Sequence, residues 1–136
     1  HVFALAESWV AGKHKEALAS AKELLSRQSA MPILAALSTF LSKWIAMKAL
    51  CDKFNGELPS GPGLSRRELP FPEMVRKVAA ARGERYTVGV EKDLKRIAKV
   101  PIETLIAKRV ELTRLESLIK TGQVPEQHAL ELFLVG

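Results

Sequence analysis

Residues 32–55 read PILAALSTFLSKWIAMKALCDKFN, and the fold turns on how this run is taken. Ile33, Leu37, Phe40, Trp44, Met47, Cys51 and Phe54 recur at alternating steps of four and three, the spacing that lines one face of a helix. Leu34, Leu41 and Ile45 widen that stripe, and Ala35, Ala36, Ala46 and Ala49 cover much of the rest. A helix apolar almost all round is normally buried among other helices. Pro32 suits the first turn, where its missing N–H has no intrahelical partner. Asn55-Gly56 suits the stop, because both residues tolerate the left-handed conformation. At 1.5 Å per residue the run makes a rod of about 36 Å, the diameter of a small domain. Its length also fits a membrane span. Lys43 and Lys48 lie inside it, however, with Ser38, Thr39 and Ser42 nearby, and charge at bilayer depth is costly. A core helix is the expectation, with no membrane partner.

The remaining chain is read outward from that rod. Before it, Val2 to Ala11 form a short amphipathic helix carrying Phe3, Leu5, Trp9 and Val10, which Gly12 ends. His14 to Gln28 form a second helix, with Leu18, Leu24 and Leu25 on one side. After it, residues 56–70 hold Gly56, Pro59, Gly61, Pro62, Gly63 and Pro70 and are expected to be a flexible internal loop. Pro72 then opens a helix to about Arg82, Val88 to Lys99 make another, and Pro101 starts a long one to Thr121. A last short helix starts at Pro125 and contains Leu130, Phe133 and Leu134. The expectation is an all-α fold: a single bundle of six or seven helices around the 32–55 rod, spanning residues 1–136 as the C-terminal part of a longer protein.

Composition agrees with helices. Hydrophobic residues make up 47% of the 136 residues and aromatics only 6%, with Ala and Leu dominant and no strand alternation. Cys51 is the single cysteine. Its place in the apolar stripe suggests a buried thiol in a reducing compartment, and hence a cytoplasmic protein.

The catalytic signatures are missing. The only Gly-Lys pair, Gly12-Lys13, is followed by His14 and has Glu7 where a phosphate-binding loop needs glycine. There is no Gly-x-Gly-x-x-Gly turn and no Gly-x-Ser-x-Gly elbow. His1, His14 and His128 are scattered, without metal-ligand spacing among themselves or with Cys51. The carboxylates read as helix-surface groups beside Lys or Arg. Neither a cofactor, a metal nor a small-molecule substrate is expected.

Two sets of residues invite interaction. The net charge of +6 is concentrated in residues 66–99, with ten basic against five acidic groups. Arg66, Arg67, Arg76 and Lys77 with Lys92, Lys95, Arg96 and Lys99 are candidate nucleic-acid contacts. The helix–turn–helix look of 72–99 favours that reading; its long turn and its few aromatics speak against it. In the 101–121 helix, Ile102, Leu105, Ile106, Leu112 and Ile119 share a broad face, with Arg109 and Glu116 inside it, seven residues apart. They read either as a partly exposed ion pair or as a polar anchor in a subunit contact. Arg109, Glu116, Leu130, Phe133 and Leu134 are therefore the candidate interface residues.

Three stretches carry a resemblance. They are Val2 to Leu25, with Phe3-Ala4-Leu5-Ala6-Glu7, the Gly12-Lys13 break and the Glu16-Ala17-Leu18 restart; Met31-Pro32-Ile33-Leu34-Ala35-Ala36-Leu37; and Leu115-Glu116-Ser117-Leu118-Ile119-Lys120-Thr121-Gly122, followed by the Leu-rich tail. In this order the chain resembles the C-terminal domain of the delta subunit of bacterial DNA polymerase III, part of the sliding-clamp loader. Residues 56–70 and 83–99 fall outside the resemblance. It implies an all-helical collar domain without catalysis or nucleotide binding. Such domains from delta, delta-prime and the gamma/tau subunits pack in a ring, while an N-terminal ATPase-like part opens the clamp. The implied partners are delta-prime and gamma/tau; the nucleic-acid reading of the basic segment is compatible with this, since a clamp loader holds primed DNA. A regulatory helical binding protein of another kind is the remaining reading.

Overall fold

The computed structural model describes residues 2–59 and 67–136. Among them are seven helices and no strand: α1 (Val2–Val10), α2 (His14–Leu25), α3 (Ala30–Gly56), α4 (Phe71–Ala81), α5 (Val88–Ile97), α6 (Ile102–Lys120) and α7 (Glu126–Val135). The fold is all-α.

Local chemistry sets the helix ends. Gly12, Gly83 and Gly122 have φ of +77°, +68° and +75°, where a side chain would be strained. Each closes its helix with the same pair of bonds. After α1, Gly12 N donates to Trp9 O at 3.0 Å and Lys13 N to Ser8 O at 2.9 Å, and the pattern repeats after α4 and α6. Asn55-Gly56 behaves otherwise. Gly56 stays helical without positive φ, so α3 runs one residue further than expected. The Asn55 side chain is occupied elsewhere: its Oδ1 accepts from Leu69 N at 2.8 Å. Of the expected flexible loop, residues 60–66 lie outside the described residues. The last turn of α2 unwinds after Leu25, with Arg27 and Gln28 both donating to Leu24 O.

The helices form two compact units, one of residues 1–43 and 103–136, the other of 44–102. The division falls inside α3, between Lys43 and Trp44, and just inside α6. In the first unit α1 packs on α2 and α2 on α7; in the second α4 packs on α5. The core of the first unit contains Leu5, Ala17, Leu24, Ile33, Leu37, Leu41, Leu105, Leu112, Phe133 and Leu134. That of the second contains Trp44, Met47, Met74, Val78, Val90, Leu94 and Ile97.

Two expectations about faces are corrected. The α3 rod is not buried all round: Ala35, Thr39, Ser42 and Ala49 are exposed along one side. It is the one helix among the described residues long and apolar enough to cross a membrane, by length and composition alone. In the fold its buried side faces protein and its open side is small or polar. In α6 the buried face is Leu105, Lys108, Leu112 and Leu115, whereas Ile106 and Val110 are 44% and 64% exposed. Apolar residues surround α6, so the helical wheel alone does not pick its inner side.

Candidate interaction surfaces

In the first unit the C-terminal end of α7 is held by side chains from other helices. The last carbonyls of a helix have no intrahelical donor. Lys108 of α6 donates to Phe133 O at 2.7 Å and to Glu111 Oε2 at 3.0 Å. His14, at the start of α2, lies with Nδ1 3.0 Å from Leu134 O; the carbonyl only accepts, so Nδ1 carries the proton. The Lys108 ammonium also sits 4.6 Å from the Phe133 ring centroid and 5.7 Å from that of Trp9. These two rings are 5.2 Å apart. A cation over aromatic faces at a helix C-terminus is favoured by both the ring quadrupole and the helix dipole. This explains a lysine only 8% exposed.

That arrangement corrects the interface expected at the chain's last helix. Leu130, Phe133 and Leu134 are completely buried within the unit, so none presents a surface to a partner. The exposed apolar residues of α7 are Leu132 and Val135. Arg109 and Glu116 do not pair. The Arg109 guanidinium donates from Nη1 to Thr113 Oγ1 at 2.6 Å and from Nε to Ser42 Oγ of α3 at 3.2 Å. Glu116 is half-buried and, among the described residues, has no ion-pair partner. Arg109 borders the exposed Ile106 on the wheel of α6, and Glu116 lies two turns further along nearly the same line as Arg109.

The second unit holds most of the charge. Residues 44–102 carry twelve basic and seven acidic groups, a net +5 of the chain's +6. Arg67, Arg76, Lys77, Lys92, Lys95 and Lys99 are exposed; Arg66 lies outside the described residues. Several carry local partners. Lys77 Nζ is 5.2 Å from the Phe54 ring centroid. Lys95 pairs with Glu91 at 3.2 Å and approaches the Phe71 ring at 6.0 Å. In the turn before α5, Arg85 lies 5.7 Å from the ring of Tyr86, which is 75% exposed. Aromatic rings thus stand among the cations, although few aromatics occur in the chain.

Arg96 does not belong to the solvent-facing set. It is half-buried, and its Nη1 lies 3.4 Å from Asp93 Oδ1. Asp93 is only 3% exposed and accepts from Trp44 Nε1 of α3 at 3.3 Å. The reading of every carboxylate as a surface group fails here. A buried carboxylate needs a cation and hydrogen bonds, and α5 supplies Arg96 one turn later while α3 supplies the indole. Lys48 answers a related question, why a lysine stands in the apolar run. Its Nζ donates to Ala98 O, at the end of α5, at 3.2 Å.

Cys51 lines a cavity of about 370 Å³ with Lys48, Asp52, Asn55, Leu69 and Met74 among its walls. The thiol is half-buried rather than fully enclosed. Burial pushes its pKa up; Lys48 opposes that and Asp52 adds to it. Among the described residues no group of three or more His, Cys, Asp or Glu is placed to hold a metal ion.

Comparison of the chain with protein-family models, with curated proteins and with solved structures finds no match.

Proposed function

We propose that this chain is a non-catalytic subunit-assembly domain of the collar type found in the delta subunit of the bacterial DNA polymerase III clamp loader. On this reading it works in the cytoplasm, needs no cofactor, and supports loading of the sliding clamp onto primed DNA. Its partners are the delta-prime and gamma/tau subunits. The stretches that carry the resemblance fall on α1 and α2, the opening of α3, and the end of α6 at Gly122.

The observation that carries the assembly reading is the outer side of α6. Ile106 and Val110, four residues apart, are exposed, and the anchored Arg109 borders Ile106 on the helical wheel. An apolar pair with a rim of charge on a rigid helix is the material of a protein contact. Combined Ile106→Asp and Val110→Asp substitution should lower affinity for a delta-prime–gamma mixture at least about tenfold while the helical circular dichroism persists. Unchanged affinity would remove this side of α6 from the contact.

A second reading is favoured by the charge of residues 44–102. Arg67, Arg76, Lys77, Lys92, Lys95 and Lys99 form an exposed basic set that suits a phosphate backbone. Binding to primed or single-stranded DNA should then weaken steeply as salt rises. No binding at low salt would sink this reading and leave the assembly reading untouched.

A further inference from the structure

The turn that leads from α4 into α5 leaves an aromatic ring in solvent. Tyr86 is 75% exposed, more than any other large hydrophobic side chain among the described residues. The Arg85 guanidinium lies 5.7 Å from its ring centroid. Two residues on, Val88 opens α5 and is also exposed.

From Val88 one face of α5 runs on through Lys92, Lys95 and Lys99, at steps of four, three and four. All four side chains are exposed. Lys99 lies just past the last helical residue, Ile97, but Ala98 keeps helical dihedrals, so the line continues to it. Over its length the row covers about 16 Å. No acid stands in it. Glu91, beside it, holds Lys95 at 3.2 Å, and an exposed pair of this kind is weak enough for a phosphate to replace. Residues 82–99 carry six basic and three acidic groups. One of those acids, Asp93, is buried against Arg96 and faces no solvent.

A row of cations that ends in an exposed ring suits a single strand of nucleic acid. The cations track the phosphates, and the ring takes the face of a base. A duplex offers the same phosphates but keeps its base faces inside its own stack, so it would use the lysines and not the ring. We propose that this turn and the outer face of α5 form a single-strand site. In it Tyr86, flanked by Arg85, stacks on an unpaired base, while Lys92, Lys95 and Lys99 follow the backbone. The inference rests on the DNA-binding reading of residues 44–102 and adds to it the form of the strand and the stacking residue.

Fluorescence anisotropy with the full chain tests it, using a labelled oligothymidylate about twelve nucleotides long and a duplex of equal length at about 50 mM salt. Tyr86→Ala should weaken single-strand binding at least about fivefold and change duplex binding by less than about twofold. Tyr86→Phe keeps the ring and should stay within about twofold of the wild type on both. Lys92→Glu with Lys99→Glu should weaken both. All these side chains are exposed, and circular dichroism verifies that each variant is folded. Single-strand affinity unmoved by Tyr86→Ala overturns the proposal and leaves the DNA reading standing. So does an equal loss on the duplex, or a loss in Tyr86→Phe as large as in Tyr86→Ala. Failure of the wild type to bind either oligonucleotide overturns the proposal and the DNA reading together.

Discussion

Lys108 in the unit of residues 1–43 and 103–136, and Lys48 in the unit of residues 44–102, do the same job at different depths. Each reaches from one helix to a carbonyl at the C-terminal end of another: Lys108 to Phe133 O of α7, Lys48 to Ala98 O after α5. Lys108 is enclosed by Trp9 and Phe133 and joined to Glu111. Lys48 is only half-buried. The buried polar groups of the second unit are led instead by Asp93, set between Trp44 and Arg96. Among the described residues, that unit's Arg82 Nε and Glu84 Oε2 are buried without a hydrogen-bond partner. Charge separates them as well: nine basic against eight acidic groups in the first unit, twelve against seven in the second. The contrast teaches that a cation's place in the sequence says little about its use. What it touches decides whether it holds a helix, balances a buried acid, or stays free to meet an anion.

Substitutions in the two units should therefore differ in size and kind. The largest effect belongs to Phe133, wholly buried and in contact with both Trp9 and the Lys108 ammonium. Phe133→Ala should lower unfolding free energy by about 3–5 kcal/mol in urea titrations. A loss below about 1 kcal/mol would show that α7 is not docked as described. Lys108→Ala comes next, at about 2–3 kcal/mol, because it strands the Phe133 carbonyl while the partly exposed Glu111 can turn to water. Lys108→Met should cost less, since the stem's packing is kept. In the second unit Asp93→Ala should cost about 1–3 kcal/mol by leaving the Trp44 indole N–H without its acceptor. Lys48→Ala should cost only about 0.3–1 kcal/mol, as befits a half-buried cation that bonds a helix end. If Lys48→Ala proves as damaging as Lys108→Ala, the contrast of depth is wrong.

The basic set is predicted to be nearly silent in stability. Lys92→Glu with Lys99→Glu should change unfolding free energy by less than about 0.5 kcal/mol, yet reduce any binding to nucleic acid and flatten its salt dependence. Arg96→Glu should behave differently, destabilising the unit by placing a second carboxylate beside Asp93. The smallest effect concerns Cys51. A thiol whose pKa is raised in the fold contributes stability that is fully present below the unfolded value. That contribution fades as pH rises through the folded value. Stability should therefore decline from about pH 8.5 upwards, and Cys51→Ser should remove that part of the slope. Alkylation at pH 8 should be slower in the native chain than in urea.

Much of the fold is legible in the sequence, for identifiable reasons. The alternation through Ile33, Leu37, Trp44 and Met47 is long enough to declare α3, and glycines at 12, 83 and 122 declare three helix ends. Gly56 misleads because Asn55 spends its side chain on Leu69 N, and no left-handed residue is needed. The inner side of α6 is hidden because Ile106 and Val110 make its outer side look as apolar as its core side. Lys108 is missed because an ammonium is not expected in a core, although its position shares the wheel sector of Leu105, Leu112 and Leu115. Asp93 is concealed by the lysines and arginine around it. The boundary at Lys43–Trp44 has no turn or breaker residue to mark it, because there it falls within the continuous helix α3. The basic segment is plain in the sequence; which of its cations are already engaged depends on contacts that only the fold brings together.

The assembly reading rests on an apolar contact, and the competing reading on charge. Light scattering coupled to sizing chromatography, with the folded chain mixed with delta-prime and gamma subunits at micromolar concentration, tests the first most directly when run at about 0.1 M and about 0.5 M salt. The account predicts a co-eluting complex that persists at the higher salt. Separate elution at both salts, or a complex that forms at the lower salt and dissolves at the higher, would contradict it.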